Sequence, residues 1–240
     1  MKWSEFFTSS VGKKLVMALS GLFLISFLIV HAGVNACIFN DLTVFDHNDD
    51  GSMFNRAAHF MGSSYVVRIL EIGLFIGFFI HIIQGYILEV QNRKRRSVGY
   101  KIKMGSEGSR WYRKSMGLLG TLILLFLIIH IAHFWVPSRI TGDLPQQHYF
   151  GSEREYHDLF SRMVSVFQNP WIVLLYVLAC FSLAWHLVHG FQSAFRTVGV
   201  YNKRYMAMIK ATGIGFSIIV PLIFALMPVS MYFGWVGYNN

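Results

Sequence analysis

Four of the five long apolar stretches in this chain carry histidine in their interior. His31 lies in LVMALSGLFLISFLIVHAGVNACIF, His81 in VVRILEIGLFIGFFIHIIQGYIL, His130 with His133 in GLLGTLILLFLIIHIAHFWV, and His186 with His189 in WIVLLYVLACFSLAWHLVHGFQSAFR. An ionisable ring is unfavourable in hydrocarbon unless it has a partner. A neutral imidazole offers a lone pair to a metal, and two imidazoles from facing helices can hold one haem iron from both sides of the ring. Four such histidines make two pairs. Ligation of this kind leaves no open position for oxygen, which favours electron transfer. The sequence has no C-x-x-C-H run, so a haem here is held non-covalently.

The elements that must position these rings follow from composition. The 240 residues are 54% hydrophobic, 16% aromatic and only 14% charged, which fits a polytopic membrane protein and not a soluble domain. Both cysteines, Cys37 and Cys180, sit inside apolar runs, which excludes a disulfide framework or a Cys-rich metal site. The fold expected is a single all-α integral membrane domain over 1–240, a haem-binding bundle of five transmembrane helices at about 15–39, 65–90, 115–136, 170–195 and 211–235. The first run exceeds the roughly 7–15 apolar residues of a signal peptide and lacks an A-x-A site. It is read as a span, although VNAC before Cys37 loosely matches a lipoprotein site. Pro137 should close the third span, Asn169-Pro170 should start the fourth, and Pro221 and Pro228 make the fifth the likeliest to kink. Between spans, Met53 to Phe60 reads as a short surface helix and YHDLFSRMVSVF as an interfacial one. There is no internal repeat and no low-complexity tract.

A net charge of +9 suggests nucleic acid only if it is spread over a soluble surface, and here it is sorted by loop. The lead carries three Lys and Arg, the 91–114 loop nine and the 195–210 linker four, leaving Arg56, Arg68, Arg139, Arg154 and Arg162 for the other side. The positive-inside rule then puts the N-terminus inside and the C-terminus outside. That topology gives each histidine a depth. His31 stands seventeen residues after Lys14 and His130 sixteen after Lys114, an outer level; His81 stands twelve before Arg93 and His186 ten before Arg196, an inner level. The levels differ by about five residues, roughly 7–8 Å of helix rise. His133 and His189 lie one turn beyond His130 and His186 and remain alternatives. Gly21, Gly33, Gly73, Gly77, Gly85, Gly117, Gly120 and Gly190 admit close approach of either a flat macrocycle or a neighbouring helix.

The strings LIVHAGVNA, IHIIQGYIL, LIIHIAHFW and WHLVHGFQSAF, in this order on successive spans, resemble the di-haem cytochrome b membrane anchors of succinate:quinone oxidoreductases, the succinate dehydrogenases and fumarate reductases. The resemblance covers all five spans. It implies two haem b groups, an outer one on His31 and His130 and an inner one on His81 and His186. It further implies flavoprotein and iron–sulfur subunits docked on the cytoplasmic face, electron transfer to or from a membrane quinone (menaquinone or ubiquinone), and residence in the inner (cytoplasmic) membrane. The family's fourth-span pattern selects His186 over His189. Arg113 and Arg196 are the candidates to neutralise propionates of the inner haem.

Quinone chemistry needs a proton-exchanging group beside an apolar slot. His59, Arg56, Arg68 and Glu71 are available on the outer side, with Glu71 one turn past Arg68 and so its expected ion-pair partner. The chain is expected to hold no dicarboxylate active site of its own and to bind no nucleic acid. Competing readings are a cytochrome b anchor of another quinone-linked enzyme, such as a hydrogenase or formate dehydrogenase, a histidine-relay transporter without haem, and a purely structural anchor.

Overall fold

Leu118, Leu122, Leu125 and Ile128 recur every three or four residues and all remain exposed, as do Ile69, Ile72, Ile76, Phe79 and Ile83. Helices that are apolar on every side have no water-facing stripe, so these exposed ridges contact lipid. The computed structural model describes residues 9–42, 45, 49–95 and 115–237. It is an all-α membrane protein, with five helical segments long and apolar enough to cross a bilayer: Ser10–Asp41, Tyr65–Lys94, Met116–Thr141, Pro170–Thr197 and Lys203–Tyr232.

In chain order the elements are α1 (Ser10–Ala36), extended by a tight turn Cys37–Asp41, then α2 (Ser52–Ser63) and α3 (Tyr65–Arg95). There follow α4 (Met116–His130), β1 (Gln146–His148), β2 (Glu155–His157), α5 (Leu159–Phe167), α6 (Pro170–Thr197) and α7 (Lys203–Tyr232). Arg113 and the basic loop beyond Arg95 lie outside the described residues.

Three boundaries differ from the sequence reading, each for a local reason. The third span does not close at Pro137. It continues through the wide turns Ile131–Trp135 and Pro137–Thr141 to Gly142, whose φ is +67°. A π-type turn bonds i to i+5; Val136 N–H donates to Ile131 O, and the turn accommodates a proline that cannot donate. The fifth helix starts eight residues before the expected Ala211, at Lys203. Asn202 caps it, its Oδ1 accepting from Arg204 N at 2.9 Å and its carbonyl from Met206 N at 2.9 Å. The interfacial helix begins only at Leu159. Asp158 caps Ser161 N at 3.0 Å, and the residues before it are extended, pairing in register Gln146↔His157, Gln147↔Tyr156 and His148↔Glu155. Asn169 starts α6 as expected, accepting from Trp171 N at 3.0 Å.

The chain divides into two compact units, and each long helix contributes to both. The first comprises 1–27, 72–122 and 182–218. Its contacts are helix on helix: Phe27 meets Phe78 edge-on, Phe191 meets Phe216, and Tyr86 and Thr121 share a 2.7 Å hydrogen bond.

The second unit comprises 28–71, 123–181 and 219–240 and has a core of Ile38, Phe54, Phe160, Phe167, Tyr176 and Met231. Helices α2 and α5 both keep exposed residues, among them Met53, Arg56 and Phe60 on α2 and Ser165 on α5. Each sinks one face into this core, α2 through Phe54 and Asn55, α5 through Phe160, Met163, Val166 and Phe167. Asn55, fully buried, ties the segments together: Nδ2 donates to Tyr149 Oη at 2.6 Å and Asp158 Oδ1 at 2.8 Å, while Oδ1 accepts from Phe160 N at 3.1 Å. Burial pushes the Tyr149 hydroxyl up to about 12, so it stays protonated at physiological pH. Asn55→Ala removes its hydrogen bonds to Tyr149, Asp158 and Phe160 together and is expected to cost about 2–4 kcal/mol. Limited proteolysis should then cut within 143–158 while the spans stay intact, and a wild-type cleavage pattern would contradict this role.

Candidate functional site

His81 on α3 and His186 on α6 belong to the first unit, and their ring centres lie 6.3 Å apart. His31 on α1 and His130 on α4 belong to the second, with ring centres 5.8 Å apart. Each unit thus contains one interhelical imidazole pair. A metal held between two imidazole nitrogens by bonds of about 2 Å, with each ring centre roughly 1.1 Å behind its nitrogen, needs about 6.2 Å between centres. Both pairs fall close to that spacing.

Polar satisfaction of the rings is lopsided in both pairs. His186 Nδ1 and His130 Nδ1 are buried and have no hydrogen-bond partner among the described residues. An orphaned nitrogen of this kind costs about 1–3 kcal/mol, which a folded chain tolerates where function requires it. The other member of each pair is met by a polar side chain. Ser20 Oγ lies 3.2 Å from His81 Nδ1, and Asn35 Nδ2 lies 3.3 Å from His31 Nδ1 and 2.8 Å from His31 O.

Around His130 the second unit builds an aromatic box. The rings of Phe126, Phe134 and Tyr176 stand 5.6, 5.5 and 6.2 Å away, and Phe224 stands 5.5 Å from His31. His133, one turn on, points elsewhere. It stacks on Tyr176 with planes 7° apart, its Nδ1 is 3.0 Å from Tyr176 Oη, and its carbonyl accepts from Arg162 Nε at 3.1 Å. In the first unit the His186 ring meets that of His81.

Close approach accounts for some of the glycines. A Cβ at Gly21 would lie 3.4 Å from His81 Cε1, and one at Gly120 would lie 3.8 Å from His186 Cε1. Gly77, Gly85 and Gly117 accommodate Phe23, Met17 and Glu89, which is ordinary helix packing; Gly33, Gly73 and Gly190 face open space.

Of the other site candidates, Arg56, His59, Arg68 and Glu71 fall in the second unit but do different work. His59 packs edge-on against Tyr156 at 5.1 Å. Arg56 donates to Ser52 Oγ and Phe150 O and lies over the Tyr149 and Tyr156 rings. The expected Arg68–Glu71 ion pair does not form. Arg68 Nε donates to Gly62 O at 3.4 Å, while Glu71 pairs with Arg139 at 3.3 Å and accepts from Trp135 Nε1. The physical reason is the extension of α4: its wide turns carry Trp135 and Arg139 to Glu71, a half-buried partner that screens less than solvent does. Arg139 did not stand out as a partner in the sequence, because the span was expected to end before it. Arg196 stands exposed in the last turn of α6.

Among the described residues no three His, Cys, Asp or Glu side chains converge on a metal-sized site. The arrangement offers two imidazoles per centre, not a complete protein-only cage. Comparison with protein-family models, with curated proteins and with solved structures found no match.

Proposed function

We propose that this chain is a di-haem cytochrome b membrane anchor of the succinate:quinone oxidoreductase type, passing electrons between an iron–sulfur partner and a membrane quinone. The observation that carries this reading is the pair of interhelical histidine couples, one per unit, at 5.8 and 6.3 Å between ring centres. His31 with His130, and His81 with His186, would each offer two imidazole donors from facing helices, a donor set that fits a haem. When bound, haem supplies a one-electron iron couple.

The chain's own residues hold and orient. His31 with His130 would hold the outer haem and His81 with His186 the inner one. Their rings are neutral donors carried on rigid helices, and the aromatic box of Phe126, Phe134 and Tyr176 keeps water from the outer centre. Arg196, and Arg113 in the basic loop, are placed by sequence to neutralise propionates at the cytoplasmic face. In this reading the N-terminus lies inside, the membrane is the inner (cytoplasmic) one, and the basic loops dock the iron–sulfur and flavoprotein subunits.

Glu71 is the group best suited to exchange a proton with quinone, because it is a half-buried carboxylate held in place by Arg139 and Trp135. Glu71→Gln is expected to lower quinone-linked turnover about 10²-fold, at the low end of general acid–base contributions, while leaving both haems in place. Loss of a haem in that variant would make Glu71 a scaffold residue instead.

The direct test is a reduced-minus-oxidised visible spectrum of the purified chain with pyridine haemochrome quantitation. Two haem b per chain support the proposal. A colourless, correctly inserted chain overturns it and leaves a histidine-relay transporter or a structural anchor. Co-purification with a hydrogenase or formate dehydrogenase subunit would assign the cytochrome to that enzyme.

A further inference from the structure

We propose that Ser20 is a positioning residue for His81, its hydroxyl accepting the ring's Nδ1–H so that Nε2 is presented as the metal-binding nitrogen. This rests on the di-haem reading. Ser20 Oγ donates to Met17 O at 3.1 Å, which commits the hydroxyl proton to the backbone of its own helix. What remains toward His81 Nδ1, at 3.2 Å, is an oxygen lone pair, and a lone pair can be met only by an N–H. The ring is thereby held in the tautomer with Nδ1 protonated and Nε2 bare. Gly21, the next residue, brings backbone close enough that a Cβ would stand 3.4 Å from His81 Cε1, which limits rotation of the ring out of this register.

Partners of this kind raise the basicity of a ligating imidazole and tune the metal. Donation from Nδ1–H to Ser20 pushes electron density onto Nε2, which stabilises the more oxidised iron. Its partner His186 has an Nδ1 without any acceptor among the described residues, so within this pair the polarisation comes from one side. The device sits on α1, a helix that supplies no ligand to this pair.

The test uses the full chain labelled with ¹⁵N-histidine, compared as wild type, Ser20→Ala and Ser20→Thr, with the His81 signal assigned by its loss in His81→Gln. Before haem loading, the imidazole ¹⁵N shifts of wild type and Ser20→Thr should show Nδ1 protonated and Nε2 bare, and Ser20→Ala should show a mixture. After loading, Ser20→Ala should favour reduction of one haem about fivefold, which is about 40 mV at 59 mV per decade for one electron. The other haem should not move, and Ser20→Thr should restore the first. A wild-type His81 protonated on Nε2, or a Ser20→Ala chain unchanged in both tautomer and potential, overturns the role assigned to Ser20. A chain that takes up no haem overturns the di-haem reading and the potential shift with it, while the tautomer still decides whether Ser20 holds the ring.

Discussion

His31→Ala and His130→Ala are each expected to remove the same single haem, and His81→Ala and His186→Ala to remove the other. The argument is geometric. Each pair has its ring centres about one imidazole–metal–imidazole span apart, and the two pairs fall in different units of the chain. In the proposed di-haem reading, losing one imidazole would leave the iron with one protein ligand, and first-sphere loss exceeds the 10–100-fold drop in affinity that removal of a supporting second-sphere group causes. Haem content should therefore fall from two per chain to one in every single variant. A His31→Ala/His130→Ala double variant should be no worse than either single, whereas His31→Ala/His81→Ala should be colourless. His133→Ala and His189→Ala serve as controls. His133 is occupied by its stack and hydrogen bond with Tyr176, so its removal should perturb the outer haem's spectrum without emptying the site. Retention of both haems in His130→Ala together with loss in His133→Ala would exchange their roles. Addition of imidazole to His→Gly variants gives an independent check, since a small ligand can fill the vacated place.

Gly51→Ala is expected to destabilise the second unit by about 2–4 kcal/mol, through two costs that add at one atom. Gly51 has φ +74°, a left-handed backbone that an alanine adopts only with strain. A Cβ there would also stand 2.2 Å from Cγ of Phe160, a side chain with no exposed surface in the middle of the core. That ring cannot step aside without opening a void against its neighbours. Gly142→Ala isolates the first cost: φ is +67°, but nothing lies within 4 Å of the position a Cβ would take. Thermal unfolding in detergent should show Gly51→Ala falling well below Gly142→Ala. Equal shifts would mean that Phe160 relaxes and that the packing cost has been overstated.

Much of the architecture could be read without coordinates because it depends on quantities local to the chain. A run that is apolar on all sides and longer than a bilayer is thick has no other stable solution than a spanning helix, so five spans were legible. The histidines were legible for the same reason: an ionisable ring in such a run is conspicuous. The cap at Asn169 was legible, and the equivalent cap at Asn202 was present in the sequence but hidden behind a basic linker that looked like a loop. Asn55 gave no signal at all. A polar residue in a short helix between spans reads as surface, and only three contacts from segments about a hundred residues away make it the centre of a buried knot.

The sequence by itself determined the solvent of each segment, the five helices, and the presence of histidine in four of them, since hydropathy and spacing along one chain suffice for that. Depth along the spans already grouped His31 with His130 and His81 with His186, but the choice within each close pair of histidines needs tertiary structure. His130 and His133, or His186 and His189, are separated by three residues and so share nearly one face of a helix. Choosing between them takes the position of a ring on another helix: His31 beside His130, Tyr176 beside His133, His81 beside His186. The partner of Glu71 was decided in the same way. Arg68 is its neighbour along the helix, but the wide turn Pro137–Thr141 that prolongs the third span beyond α4 carries Arg139 to it instead.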